Sequence, residues 1–380
     1  MLRTGAMRGA AVAVALLGAA CSTVRAPYSQ IDHARARIPD MPGVRVWADD
    51  PDQPMLRLNT TAPLTMLTLS GGGAEGAYGA GFLSGWTDSG RRPRFTIVTG
   101  TSVGALMAPF AFLGPDYDPA LKQIYVEGQM ENLLRVDGIN GLIGSSVFKA
   151  EPLKRLIDHY ADQALIDAVA AERRKGRFLF VVTTNVDAQR AVVWDLTAVA
   201  ASPSPNRYTL FRSILMASCA MPGIFPPSLI EVEADGRRFA EMHVDGSVTS
   251  NVLAVPEALL LSVLPKVGPT PPRLYVIVNG KLEPDFDVVA DHTLSIVARS
   301  FWTTVKANTR NTLIATYEFT RRNGWEFRAT AIERDHPIAT ASFNFEPAYM
   351  RGLYDYGYER GRSGRGWQAA LPRASITARN

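Results

Sequence analysis

Three groups of residues in this 380-residue chain could perform acyl chemistry if the fold brought them together. They are a serine between glycines, Gly100-Thr101-Ser102-Val103-Gly104; a glycine run, Gly71-Gly72-Gly73-Ala74-Glu75-Gly76; and an aspartate in Asp245-Gly246-Ser247. A serine hydroxyl is a poor nucleophile until a positioned group takes its proton. Glycine lets main-chain N–H groups come close to a substrate, where they can hold a developing oxyanion. A carboxylate is a weak base in water and a stronger one once desolvated. Two of these groups also have a plainer reading. The glycine run could be a tight turn or a phosphate cradle, and Ser102 could be a helix N-cap.

The elements around these residues favour the chemical reading. Leu64 to Ser70 is a short apolar run that stops at the glycine loop, and Ala77 to about Thr87 has a helical pattern. That helix carries Gly79, Gly81 and Gly85, each costing about 1 kcal/mol relative to Ala. Ala77, Gly81 and Gly85 share one face, so close packing of the helix on a strand is the expected compensation. Phe95 to Thr99 reads as a second buried strand, leading through Gly100 to Gly104 into an apolar helix that ends near Gly114. Such a strand-helix-strand-helix order makes the strands parallel and delivers both loops to their carboxyl ends. Neighbouring strands lie about 4.8 Å apart, which would bring Ser102 within several ångströms of the glycine loop.

A dinucleotide site expects an acid about 20 residues beyond its glycine loop, whereas this chain goes on to Gly100 and Ser102. No metal-spaced His/Cys cluster appears either, so no cofactor and no metal is expected. A lone Gly-x-Ser-x-Gly arises by chance about 0.2 times in a chain of this length and composition, but paired with the glycine loop it reads as a nucleophile elbow.

The base has two candidates. Phe239 to Val244 reads as a strand delivering Asp245 at its carboxyl end, where it could act directly. In an α/β-hydrolase order, Ser102 and Asp245 would instead be completed by His292 or His336.

With Ala217-Ser218-Cys219-Ala220-Met221-Pro222-Gly223-Ile224-Phe225-Pro226-Pro227 added to the three segments above, the chain resembles the patatin-like phospholipase family, in family order from residue 64 to about 255. The resemblance implies a three-layer α/β fold around a mostly parallel central sheet, and a lipid acyl hydrolase working through an acyl-enzyme without a catalytic histidine. Ser102 would be its nucleophile, Asp245 its base, and the N–H groups of Gly71, Gly72 and Gly73 its oxyanion hole. Glu75 stands where many members carry Arg or Lys, which leaves phospholipids and neutral esters both open as substrates. Ser247 stands where Gly or Ala is usual, a change expected to be tolerated. A non-catalytic lipid-binding protein on the same scaffold is the rival of a different class.

Arg3 and Arg8 precede an unbroken small and apolar run from Ala10 to Ala20, the layout of a secretory signal over residues 1–20. Eleven residues are too few to span a bilayer, which takes roughly 20. Leu17-Gly18-Ala19-Ala20-Cys21 resembles the lipobox of bacterial lipoproteins, although Leu stands one position earlier than usual; ordinary cleavage with Cys21 in no special role is the alternative. The resemblance implies lipidation of Cys21, and with Ser22 next an address in the cell envelope, at the outer membrane where the source has one. More than one acyl chain on Cys21 would give stable anchoring.

Residues 21–60, rich in proline, read as a tether in which Val44 to Trp47 could dock on the domain; 61–350 form the hydrolase domain, and 351–380 the end of a last helix and a basic tail. A net charge of +4, two of it in the leader, argues against nucleic acid as a partner. Phe178 to Asn185 and Leu274 to Val278 read as buried strands, and His292 to Arg322 and Tyr349 to Arg360 as helices. Trp325 to Ile332 with Ser342 to Phe345 reads as a hairpin, and Cys219 as a small buried hydrophobe.

Overall fold

A computed structural model describes residues 25–50, 63–131, 133–134, 146–264, 269–337 and 344–371. The leader, Cys21 and the tail beyond 371 lie outside the described residues. The fold is α/β, and among the described residues a nine-stranded sheet lies between helical layers.

Strand β1 is Arg45–Trp47, β2 Thr65–Leu69, β3 Ile97–Thr101, β4 Phe178–Asn185, β5 Arg190–Asp195, β6 Ser228–Ala234, β7 Arg237–Asp245, β8 Arg273–Lys281 and β9 Glu326–Ile332. The main order is β1-β5-β4-β3-β2-β8-β9. The five strands from β4 to β9 in that order run parallel, and β1 and β5 are antiparallel additions at one edge. Every residue of β2 and β3 is buried, as expected of strands covered on both faces.

Beyond the end of β3 its place beside β4 passes to another strand. Thr101, the last residue of β3, pairs with Val182, and Asp245, the last residue of β7, pairs with Thr183. Strand β7 runs antiparallel to β4. It therefore reaches the carboxyl edge of the parallel strands from the opposite direction, and the ends of β3 and β7 meet head to head.

Helix α1 is Gly76–Asp88, α2 Val103–Leu113, α3 Arg207–Ser218, α4 Thr293–Asn323 and α5 Pro347–Ser363. The small-residue face of α1 corrects one expectation. A Cβ on Gly81 would lie 2.0 Å from the carbonyl oxygen of Tyr354, and one on Gly85 2.0 Å from that of Tyr358. The face expected to pack on a strand packs on the last helix instead. Gly357 and Gly361 of α5 return the contact, approaching the carbonyls of Tyr78 and Phe82. Only Gly79 faces the sheet, against Asn279 and Ile277. The dispersion gained by two backbones in contact offsets the helix cost of the glycines. Gly81→Val is therefore expected to cost about 1–3 kcal/mol or more by forcing the helices apart, read as a lowered midpoint in thermal or urea unfolding.

Two further readings change. Residues 25–50, expected as part of a tether, belong to the fold. Ile38, Met41 and Val44 are buried, β1 pairs with β5, and Arg25 forks onto Asp187 at 2.7 and 2.8 Å. Prolines do end the elements here, but each short piece between them finds a partner on the sheet. Strand β9, expected in a hairpin, pairs in parallel with β8 and makes one antiparallel bridge, from Ala329 to Gln368. Ser342 and Phe343 lie outside the described residues, and Asn344 and Phe345 are not in a strand. The last helix extends across the expected boundary at 350 and docks on α1.

Candidate active site

The turn from β3 into α2 places Ser102 at φ +55° and ψ −127°. This is a costly conformation for a residue with a Cβ, and the surroundings hold it in place. The Ser102 N–H donates to Ser218 Oγ at 3.0 Å, and that hydroxyl donates to the Val182 carbonyl at 2.7 Å. A Cβ on Gly104 would lie 2.3 Å from the Leu69 carbonyl oxygen, so glycine is what lets the first turn of α2 sit against the end of β2. The amino end of α2, directly after Ser102, points its partial positive charge at the site.

Asp245 meets Ser102 across the junction of β3 and β7. Ser102 Oγ donates to Asp245 Oδ2 at 2.6 Å, and the Ser247 N–H donates to Oδ1 at 2.8 Å. Ser102 is 8% exposed and Asp245 4%. Burial pushes the Asp245 carboxyl up to about 6, against the lowering effect of the bonds from Ser102 and Ser247. At neutral pH it is ionised and yet more basic than an ordinary aspartate.

The glycine loop closes the third side. A Cβ on Gly71 would stand 3.0 Å from the Ser102 Cβ and 2.5 Å from Ser247 Oγ. Gly72 lies against the main chain of Asn279, and Gly73 has φ +60° and opens a short 3-10 turn. Among the described residues, none of these three N–H groups donates to a loop or turn carbonyl. Asn279 fixes the loop from behind: its N–H donates to Ser70 Oγ at 2.8 Å and its Nδ2 to the Ser70 carbonyl at 2.7 Å.

Ser102, Asp245 and Gly71 thus come together, with Gly72 and Gly73 following Gly71 in the same loop, while the histidines lie elsewhere. His292 caps α4 at an exposed position, and the His336 ring stacks on Tyr356 at 3.9 Å. His243, though on β7, is fully buried with Nδ1 2.9 Å from Thr183 Oγ1 and Nε2 3.3 Å from Glu241 Oε2. Among the described residues no histidine is hydrogen-bonded to Ser102 or Asp245, and no group of three or more His, Cys, Asp or Glu side chains could hold a metal ion. Cys219 is buried, and burial pushes its thiol up, away from reactivity.

Several supporting residues escaped the sequence reading. Ser218 stands inside the Ala217 to Pro227 segment, so its signal was present without its role. Ser247 Oγ donates to Asn251 Oδ1 at 2.8 Å, and Asn251 Nδ2 donates to Thr309 Oγ1 at 2.8 Å, tying the aspartate turn to α4. Nothing in the sequence marked Asn251. The Asp245 N–H donates to the Ala220 carbonyl at 2.9 Å, and just beyond Ala220 the side chains of Met221, Ile224 and Phe225 form an apolar cluster with Phe148, Phe301 and Trp302.

The family model described as patatin-like phospholipase matches residues 67–258, just over half of the chain. No curated protein sequence matches. Among solved structures, VipD from Legionella pneumophila is similar with a TM-score of 0.42 and 13% identity, over 80% of this chain and 67% of that one. The type III effector protein ExoU gives a TM-score of 0.25 and 12% identity, over 79% of this chain and about half (53%) of ExoU.

Proposed function

The chain belongs to the patatin-like phospholipase family, and from that premise we propose that it is a serine hydrolase cleaving acyl esters of lipids through a Ser102–Asp245 dyad. The observation that carries the proposal is the 2.6 Å hydrogen bond from the elbow serine to a buried carboxylate.

In the proposed reaction Ser102 Oγ attacks the ester carbonyl carbon as its proton passes to Asp245 Oδ2. The carbonyl oxygen becomes an oxyanion held by the N–H groups of Gly71, Gly72 and Gly73, next to the positive end of α2. As the tetrahedral species collapses, Asp245 returns the proton to the departing alcohol and leaves an acyl group on Ser102. Water then attacks the acyl carbon as its proton passes to Asp245, and Asp245 returns that proton to Ser102 Oγ as the acyl–oxygen bond breaks and the fatty acid leaves. The apolar cluster around Met221, Ile224 and Phe225 is the surface for the acyl chain.

A fluorophosphonate probe tests the reading by trapping the activated serine. The wild-type protein is expected to be labelled and to release fatty acid from a lipid panel. His292→Ala and His336→Ala are each expected to keep most of that activity. A loss at either histidine on the order of a thousandfold, the scale of a missing triad member, would restore the Ser-His-Asp alternative. A folded wild-type protein that takes no label would favour a lipid-binding role.

The proposal extends to attachment, with Cys21 lipidated and the domain held at the cell envelope, on the outer membrane where one exists. More than one buried chain would make that anchoring stable. Labelled palmitate is expected on the wild-type protein and absent from Cys21→Ser; equal labelling of both, or of neither, would remove the anchor.

A further inference from the structure

A cavity of about 300 Å³ opens beside the glycine loop, with Gly71 and Gly72 in its wall. It shares Trp302 with the apolar cluster and Gly71 with the Ser102 site, but Ser102 itself does not line it. One wall is a single face of α4. Arg299, Trp302, Lys306 and Arg310 recur at intervals of three or four, the spacing that aligns side chains along a helix. Lys281, from β8, adds a fourth cation, and Glu75 and Asp285 are the acids in the lining.

The charges are unevenly committed. Lys306 Nζ holds Asp285 Oδ2 at 2.6 Å and the Glu283 carbonyl at 3.0 Å, and Lys281 Nζ stands 3.7 Å from Asp285 Oδ1. Arg299 donates to the Asp285 main-chain carbonyl at 2.6 Å. Asp285 is thus shared between two lysines, and four cations face two acids. The guanidinium of Arg310, half-buried in the wall, has no hydrogen bond or ion pair among the described residues. A planar guanidinium without a carboxylate is suited to a forked pair of bonds to phosphate oxygens.

We propose that this cavity binds the phosphate group of the lipid substrate, with Arg310 as the principal donor and Lys306 beside it, while the ester carbonyl lies at the glycine loop. The choice of ligand rests on the ester-hydrolase reading. Phe286 and Val288, 94% and 82% exposed in the segment that follows Asp285, give the same region apolar side chains that suit a lipid surface.

Binding without turnover tests the inference. In Ser102→Ala protein, calorimetry would compare monomeric dihexanoylphosphatidylglycerol, dihexanoylglycerol and inorganic phosphate. The phospholipid is expected to bind at least about tenfold more tightly than the glycerol diester, the scale of one charge-assisted hydrogen bond. Adding Arg310→Ala should abolish that preference, and Arg310→Lys should restore part of it. Inorganic phosphate binding far more weakly than the phospholipid assigns the cavity to a lipid headgroup. Phosphate binding as tightly and displacing the lipid assigns it to the free anion. Equal affinity for the two lipids, or a preference that survives both Arg310→Ala and the milder Arg310→Gln, overturns the inference. Wild-type protein that hydrolyses no ester while its Ser102→Ala form binds in the expected pattern would sink the catalytic reading and leave this one standing.

Discussion

Asp245→Asn is expected to lower kcat/KM for lipid esters on the order of 10³- to 10⁴-fold, about as much as Ser102→Ala, and the double variant should lose little more. Groups that act as one unit are strongly non-additive, and the scale is that of removing a triad member. The substitution suits the test because the amide can keep both bonds. Its oxygen can accept from the Ser247 N–H and its nitrogen can donate to Ser102 Oγ, in place of the bonds at 2.8 and 2.6 Å. Geometry survives and only the capacity to take a proton is lost. Activity that persists in a folded Asp245→Asn protein would exclude the dyad.

The same residue sets two pH dependences of opposite sign. Burial pushes the Asp245 carboxyl up to about 6, so its basic form, and with it kcat/KM, is expected to fall as pH drops below about 6. Stability runs the other way. In the fold Asp245 holds its proton up to about pH 6, whereas in the unfolded chain it loses it near 4, so the folded state binds more protons across that window. Stability therefore declines as pH rises from about 4 to 6 and stays lower above it. With about 1.4 kcal/mol per pKa unit, the cost at neutral pH is on the order of 3 kcal/mol. Asp245→Asn should accordingly melt higher than wild type at pH 8, with the gap narrowing toward pH 4.

What could be read from the sequence follows the range of the interactions. Strands β2, β3, β4 and β8 were legible because each is a short apolar run, and the elbow because Gly100 and Gly104 flank Ser102 within five residues. The direction of β7 was not legible. A strand shows its carboxyl end in sequence but not its sense relative to β4, and Asp245 reaches the right edge from the far side. The partner of α1 was hidden for a similar reason. Its glycine face announced a close approach, but the surface approached is the main chain of Tyr354 and Tyr358, more than 270 residues away. Arg299, Lys306 and Arg310 show the helical interval in sequence, yet only the tertiary fold turns that face toward the glycine loop.

Gly72→Ala is the second large effect, expected to lower kcat on the order of 10²- to 10³-fold, the scale of losing one oxyanion donor. An added Cβ would lie 1.9 Å from the Asn279 carbonyl oxygen and 2.8 Å from its Cβ. The obstacle is backbone, part of a strand whose Asn279 is bonded twice to Ser70, so it cannot turn aside as a side-chain tip would. The loop itself must move, taking with it N–H groups whose value depends on their being fixed before charge develops. Binding of the ester in its ground state needs those donors less, so KM should change by a smaller factor than kcat. The labelling rate with a fluorophosphonate should fall with kcat, because phosphonylation also places an oxyanion in the same spot. A Gly72→Ala protein that melts like wild type and keeps its full kcat would mean that the glycine loop stabilises no charge in the transition state, and the oxyanion site would have to be sought among the other N–H groups facing Ser102.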